Sequence, residues 1–106
     1  MLNYQIITKP MRIRLIKEHN LVHRVANKFI QFHSGTEMWA CRAKSDDHIM
    51  GESLMIFNHS FITTFKPDSQ TVKNKWEIIG SKGMQWENDM SVLQASYMEL
   101  NIKIGK

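Results

Sequence analysis

Cysteine is nearly absent from this chain, with only Cys41 among 106 residues. One thiol cannot form an internal disulfide, so the composition excludes the disulfide-rich class of small secreted domains. No positively charged segment followed by an apolar run precedes a small-residue cleavage site, so we expect no secretory signal and a cytoplasmic location. No apolar run approaches the roughly 20 residues that span a bilayer, so we expect no membrane insertion.

Proline and glycine are also scarce, at two and five residues, while apolar residues make up 42% of the chain. This composition is close to the globular average and excludes collagen-like and disordered chains. A chain of this length supports one modest core. We therefore predict a single domain over residues 1–106, with residues 1–10 as an N-terminal extension.

Acidic residues are outnumbered by basic ones, which gives a formal net charge of +4 and favours acidic partners. A nucleic-acid-binding arm gathers its cations in one block, but here they are scattered. This scattering argues against nucleic acid as a partner and makes a small basic nucleic-acid-binding module the third of three hypotheses. The scattered residues are Arg12, Arg14, Arg24, Lys28, Lys44, Lys66, Lys73, Lys75 and Lys82.

The first half of the chain switches between two hydrophobic periods. Alternation over residues 11–17 predicts a half-buried strand, and the β-prone segment 2–8 predicts an edge strand or an ordered arm. From Val22 to His33 the apolar residues recur at helical spacing, which predicts a helix that ends at Ser34-Gly35. Residues 36–44 again predict a strand.

The second half predicts two further helices and a hairpin. Residues 45–57 open with capping side chains and predict a short helix interrupted by Gly51. Residues 58–83 predict a hairpin in which "FITTF" and "TVKNKWEIIGS" flank a turn. The steps from Trp86 to Leu100 predict a C-terminal amphipathic helix. This order predicts an α+β open-faced sandwich, with helices packed on one face of an antiparallel sheet.

Three segments resemble a known family. "RIRLIKEHNLVHRVANKFIQF" (12–32) resembles the first strand, active loop and first helix of HPr, the histidine-containing phosphocarrier protein of the bacterial sugar phosphotransferase system. "HIMGESL" (48–54) resembles its second helix, and "WEIIGSKG" with "WENDMSVL" resembles its last strand and last helix. The resemblance implies an HPr-like fold in a bacterial cytoplasmic protein, with enzyme I or a regulator as partner and no cofactor.

The loop departs from the family at the position that accepts phosphate. Without a gap, Arg24 aligns with the family arginine and Val22 with the phosphorylated histidine. The first hypothesis is therefore a protein-interaction or regulatory module that lacks this histidine. The alternative is an active phosphocarrier that deletes one loop residue and accepts phosphate from enzyme I on His23, beside Arg24. His48 replaces the family's regulatory serine, so the kinase switch is not expected.

The resemblance also implies a docking surface. In HPr the corresponding face binds enzyme I and other partners through an apolar patch rimmed by cations. His19 and His23 have a spacing that binds metal on a helix, but no further ligand completes the set, so we expect no metal. We expect the chain to carry phosphate at most and not to act as an enzyme. The implied partner-binding residues are Arg24, Lys28, Ile49, Met50 and Gly51.

Overall fold

The computed structural model describes residues 2–45, 51–80 and 85–105. The described part of the protein is mostly β, with 52% of its residues in strands and 18% in helices. The elements in chain order are β1 (Leu2–Ile6), β2 (Met11–Leu15), β3 (His19–His23), β4 (Lys28–Phe32), β5 (Glu37–Ser45), β6 (Glu52–Phe57), β7 (Ile62–Phe65), α1 (Gln70–Lys75), β8 (Trp76–Gly80), α2 (Trp86–Ser96) and β9 (Leu100–Ile104).

Strand β5 organises a mixed seven-stranded sheet because it is long enough to pair with two strands along one edge. Residues Glu37 to Ala40 pair antiparallel with β2, and residues Ala43 to Ser45 pair antiparallel with β1. The other edge pairs with β6, which in turn pairs with β7. Strand β9 adds parallel to β1, and β8 adds antiparallel to β2. The sheet therefore forks on one side of β5.

A short break separates β1 from β2. Pro10 is fully buried there and has no backbone donor for a ladder hydrogen bond. Opposite the break, the backbone N–H of Arg42 donates to the Thr8 hydroxyl oxygen at 2.9 Å, and the N–H of Ile7 donates to the Arg42 carbonyl at 2.8 Å. A side chain thus replaces a missing backbone partner and keeps β1 and β2 end to end along β5.

Helix α2 covers one face of the sheet. The indole N–H of Trp39 donates to the Asp89 carboxylate at 3.0 Å, which ties β5 to the first turn of α2. Apolar side chains from β1, β5, β6, β7, β9 and α2 meet in this core: Tyr4, Ile6, Trp39, Cys41, Ala43, Met55, Phe57, Ile62, Trp86, Met90, Leu93, Leu100 and Ile102.

The opposite face is covered only in part. The two-stranded hairpin β3–β4 and helix α1 pack over β2, β5, β6 and β8, since successive β5 side chains point to opposite faces. The remainder of this face, around β1 and β9, carries polar side chains. The buried residues of this second core are Ile13, Leu15, Leu21, Met38, Ile56, Phe61, Val72 and Trp76.

The predicted HPr-like α+β sandwich is wrong, because strands dominate and the sheet is mixed. The largest error is the helix over Val22 to His33, where the structure has the end of β3, a turn and β4. Strand β3 buries His19, Leu21 and His23 on one face. Two of these three inward residues are polar, so the period-two pattern was hidden in the apolar count.

Other predictions had mixed outcomes. The strands at 11–17 and 36–44 are confirmed as β2 and β5, and segment 2–8 is the strand β1, which lies between β5 and β9 and not at an edge. The short helix over 45–57 is wrong where the structure describes it, because β6 occupies Glu52–Phe57; residues 46–50 lie outside the described residues.

The C-terminal half was predicted more accurately. "FITTF" is confirmed as the strand β7, but β7 pairs with β6, so the predicted hairpin with the following segment is wrong. Helix α2 is confirmed from Trp86 and ends at Ser96, earlier than predicted, because Leu100 begins β9. Within residues 2–45, 51–80 and 85–105, neither helix is long and apolar enough to cross a membrane.

The turn between β3 and β4 provides a test of the corrected fold. Asn27 has a φ of +53°, and its N–H donates to the His23 carbonyl at 2.8 Å. An L-residue without a short polar side chain is disfavoured there, so Asn27→Ala should lower the free energy of unfolding by about 1 kcal/mol. In a helix interior the same change would raise stability, because alanine is the better helix former. Urea denaturation decides between the two signs.

A matched control is Asn27→Gly. Glycine adopts positive φ at no steric cost, so this variant should unfold at a urea concentration close to that of the wild type. A stabilised Asn27→Ala variant would contradict the hairpin.

Candidate functional site

His23 lies at the end of β3 and is only 1% exposed. Its Nε2 atom lies 3.1 Å from the Ser60 carbonyl oxygen and 3.0 Å from the Tyr97 hydroxyl oxygen. The backbone N–H of Val25 donates to Nδ1 at 3.3 Å, so Nδ1 is the unprotonated nitrogen and Nε2 carries the proton. Both ring nitrogens are therefore bonded within the fold. The imidazole joins the hairpin, the β6–β7 turn and the residue that follows α2.

The surroundings of His23 favour its neutral form. Burial lowers its pKa below the ordinary 6.5, the bond to the Ser60 carbonyl opposes this shift in part, and the charge of Lys28 lowers the pKa further. The rings of Phe61 and Tyr97 stand edge-on to the imidazole, each with centroids 5.1 Å away. An imidazole enclosed in this way lacks the exposure at a helix start that the phosphocarrier hypothesis requires.

His19 occupies the other end of β3. The Trp76 indole N–H donates to its Nδ1 at 3.2 Å, and the Phe65 ring stacks on it with centroids 5.8 Å apart. Burial, and then the charge of Lys75, lower its pKa. On a strand, four residues span roughly 13 Å, so His19 and His23 cannot share an ion. In the described parts of the chain no group of three or more ligating side chains could hold a metal.

Cys41 offers no nucleophile. Its side chain is buried on β5, and burial raises the pKa of the thiol to about 12. Since the thiolate is the reactive form, almost none is present at neutral pH.

Arg24 follows β3 and reaches across to β7, whose outer edge has no ladder partner among the described strands. Its backbone N–H donates to the Ile62 carbonyl at 2.9 Å. Its Nε donates to the Thr64 hydroxyl oxygen at 2.8 Å, and its Nη2 donates to the Thr64 carbonyl at 3.4 Å. A guanidinium has five N–H groups, so three remain for another acceptor. The side chain is thus oriented but not saturated.

Arg24 differs from the other three arginines of the chain. Each of those pairs with a glutamate on a neighbouring strand: Arg12 with Glu37, Arg14 with Glu77 and Arg42 with Glu52. Within the described residues, no ion pair includes Arg24 or Lys28. The hairpin turn therefore carries positive charge that the described part of the fold does not neutralise.

A groove of about 260 Å³ lies between β3 and β7, next to Arg24. We call it the hairpin groove. Val22 and Phe29 face each other across the hairpin ladder, and Phe29 is 75% exposed. Thr63 and Phe65 line the β7 side. The lining contains no carboxylate, so the groove combines an apolar wall with one oriented cation.

The predicted docking residues are only partly brought together. Arg24 and Lys28 lie at opposite ends of the hairpin turn. Gly51 lies apart from them, at the β5–β6 connection, where its carbonyl accepts the Ser45 N–H at 3.0 Å. Ile49, Met50 and His48 lie outside the described residues.

Sequence reasoning missed two residues of this groove. Phe29 was assigned to the apolar stripe of a helix, and Thr64 was treated as an ordinary strand residue. Their role follows from the antiparallel pairing of Val22 with Phe29 and from the approach of Arg24 to β7. Only Asn27, a turn-forming residue at the end of "RVAN" between two β-prone runs, could have indicated a hairpin here.

Comparison of the chain with protein-family models, with curated proteins and with solved structures finds no match. The geometry of the described residues is therefore the basis for any functional assignment.

The buried histidines predict a pH dependence of stability. Because their pKa values are lowered in the folded state, the unfolded chain binds more protons between the folded pKa and about 6.5, and stability falls as the pH drops through that window. We expect His23→Gln, which cannot be protonated there, to show a shallower loss from about pH 7.5 to about pH 5. Urea unfolding at several pH values measures the slope.

His59→Gln is the control, because it removes an exposed histidine. It should leave the slope as in the wild type. Identical slopes for the wild type and His23→Gln would refute the assignment.

Proposed function

We propose that this protein is an interaction module that binds an acidic segment of a partner protein in the hairpin groove. The observation that carries the proposal is the Arg24 guanidinium, which Thr64 orients while no described carboxylate neutralises it. Exposed Phe29 stands beside it as an apolar anchor. Phenylalanine and arginine are each enriched at protein–protein interfaces relative to the rest of the surface.

The chemistry of the groove specifies the occupant. Three free N–H groups of Arg24 suit an aspartate, a glutamate or a terminal carboxylate, because such pairs are charge-assisted and directional. The space beside Val22 and Phe29 suits an aliphatic or aromatic side chain next to that carboxylate. Lys28 adds a second charge at the turn, and the net charge of +4 favours encounter with an acidic surface.

The proposal retains the interaction role predicted from the sequence, and assigns it to Arg24, Lys28 and Phe29. It does not depend on an HPr-like fold, which is corrected above. Enzyme I or a regulator of the phosphotransferase system as the partner remains a prediction from the sequence resemblance alone.

A peptide selection tests the groove. A displayed library of short random peptides is selected on the immobilised protein, and the enriched peptides are measured by fluorescence anisotropy. We expect enrichment of aspartate or glutamate next to an apolar residue. Phe29→Ala and Lys28→Glu should each weaken binding by about tenfold, which corresponds to the loss of roughly 1.4 kcal/mol.

Two matched variants separate the groove from general surface effects. Ile78→Ala removes another exposed apolar side chain, and Lys73→Glu reverses another exposed lysine. Both should bind like the wild type. The proposal is contradicted if the enriched peptides lack acidic residues, or if all four variants lose binding affinity equally.

Phosphate transfer to His23 is tested separately. After incubation with phosphoenolpyruvate and enzyme I at non-acidic pH, we expect the intact mass to be unchanged, because the ring is buried and both nitrogens are bonded. Authentic HPr in the same reaction is the positive control. One added phosphate on the wild type that His23→Ala lacks would instead make the protein a phosphocarrier.

A further inference from the structure

The uncovered part of the sheet forms a second candidate site, distant in the fold from the hairpin groove. It lies where β9, β1 and β5 are adjacent, on the same face of the sheet as the hairpin β3–β4. The hairpin covers another part of this face, over β2, β5, β6 and β8. Cross-strand pairing places Lys103 next to Gln5, and Gln5 next to Lys44. One step along, Asn3 pairs with Asn101, and the Asn101 amide donates to the Asn3 side-chain oxygen at 3.2 Å. We call these five residues the amide-lysine face.

The amide-lysine face brings together two positive charges, Lys44 and Lys103, that are far apart in the sequence. Lys44 and Lys103 belong to strands separated only by β1, so their Cα atoms are roughly 10 Å apart, twice the strand spacing. Glu52 is the carboxylate beside Lys44 in the ladder, but it pairs with Arg42 at 2.9 Å. No ion pair of the described residues includes Lys44 or Lys103. Two like charges across one glutamine repel each other, and an anion between them would relieve that repulsion.

The size of the amide-lysine face and its hydrogen-bonding groups indicate which class of ligand it could bind. The concavity above it measures about 360 Å³, within the range of small-molecule sites. Asparagine and glutamine amides offer both donors and acceptors, which suits the edge of a nucleobase, while the lysines suit a phosphate. No aromatic ring of a described residue other than Tyr4 lines the concavity, and Tyr4 is buried towards the other face, so the site offers polar contacts and not a stacking platform.

We propose that the amide-lysine face binds a phosphate-bearing ligand of nucleotide size, with Lys44 and Lys103 on the phosphate and Gln5 between them. Two sources share this chemistry: a free mononucleotide, and one nucleotide of a single strand. The site is independent of the hairpin groove, since none of its residues lines that groove.

Anisotropy and calorimetry test the proposal with two probes, AMP and a fluorescein-labelled oligothymidylate of about eight nucleotides. We expect the double variant Lys44→Gln/Lys103→Gln to lose at least tenfold in affinity. For the oligothymidylate, the slope of log affinity against log salt should also become shallower by about 0.7, since both lysines bind one phosphate and each lost phosphate contact removes roughly 0.7. Lys17→Gln/Lys73→Gln, with the same charge change at exposed positions elsewhere, should lose far less.

Each outcome bears on the proposal. Binding of both probes with comparable affinity, lost in the Lys44/Lys103 variant, supports a free nucleotide as the ligand. Binding of the oligothymidylate alone, with a shallower salt slope in the Lys44/Lys103 variant, supports single-stranded nucleic acid as the ligand. The proposed site is refuted if both probes bind with a Kd above about 1 mM, or if the two double variants lose affinity equally. Circular dichroism of both variants verifies that the fold is retained.

Discussion

The structure depends on one strand that serves two partners along a single edge. Because β5 has nine residues, four of them pair with β2 and three with β1, so that β1 and β2 lie end to end beside it with a bend at Thr8 between them. The Thr8 hydroxyl then accepts the Arg42 N–H that faces the bend. The fork that results directs β9 to one arm and β8 to the other. One arm is closed over by the hairpin, and the other stays open, which is why the two candidate sites lie apart.

His23 is a polar residue with a structural role in the core. Its ring lies where the hairpin, the β6–β7 turn and the end of α2 meet, and it bonds to a group from each through Val25, Ser60 and Tyr97. An apolar residue would leave the Val25 N–H and the Ser60 carbonyl, which make part-buried hydrogen bonds to His23, without this partner, and such unmade bonds are costly. A charged imidazole would be equally unsuitable, since burial disfavours the cation. The neutral ring is therefore the form that this junction stabilises.

Sequence patterns predicted the elements whose inward residues are apolar. Strands β2 and β5 and helix α2 were found because Ile13, Met38 and Leu93 belong to regular apolar stripes. The hairpin was missed because His19 and His23 face inward, so that Val22, Phe29 and Ile30 imitate a helical period across a four-residue turn. Local pattern also cannot reveal that Arg24 reaches Thr64, or that Lys103 and Lys44 flank Gln5, because both depend on pairing between distant strands. The resemblance to HPr was built on the same misassigned segment.

The distribution of ion pairs links the fold to its proposed functions. On the forked sheet, Arg12, Arg14 and Arg42 meet glutamates across the ladder, and such exposed pairs contribute little to stability. Their main effect is to neutralise charge locally. Arg24 instead bonds to Thr64, whose hydroxyl and carbonyl orient a cation without cancelling it. Charge that is oriented but not cancelled attracts an anion at that point, whereas a paired charge does not. The scattered cations of the sequence therefore become specific only after folding decides which of them meet a carboxylate.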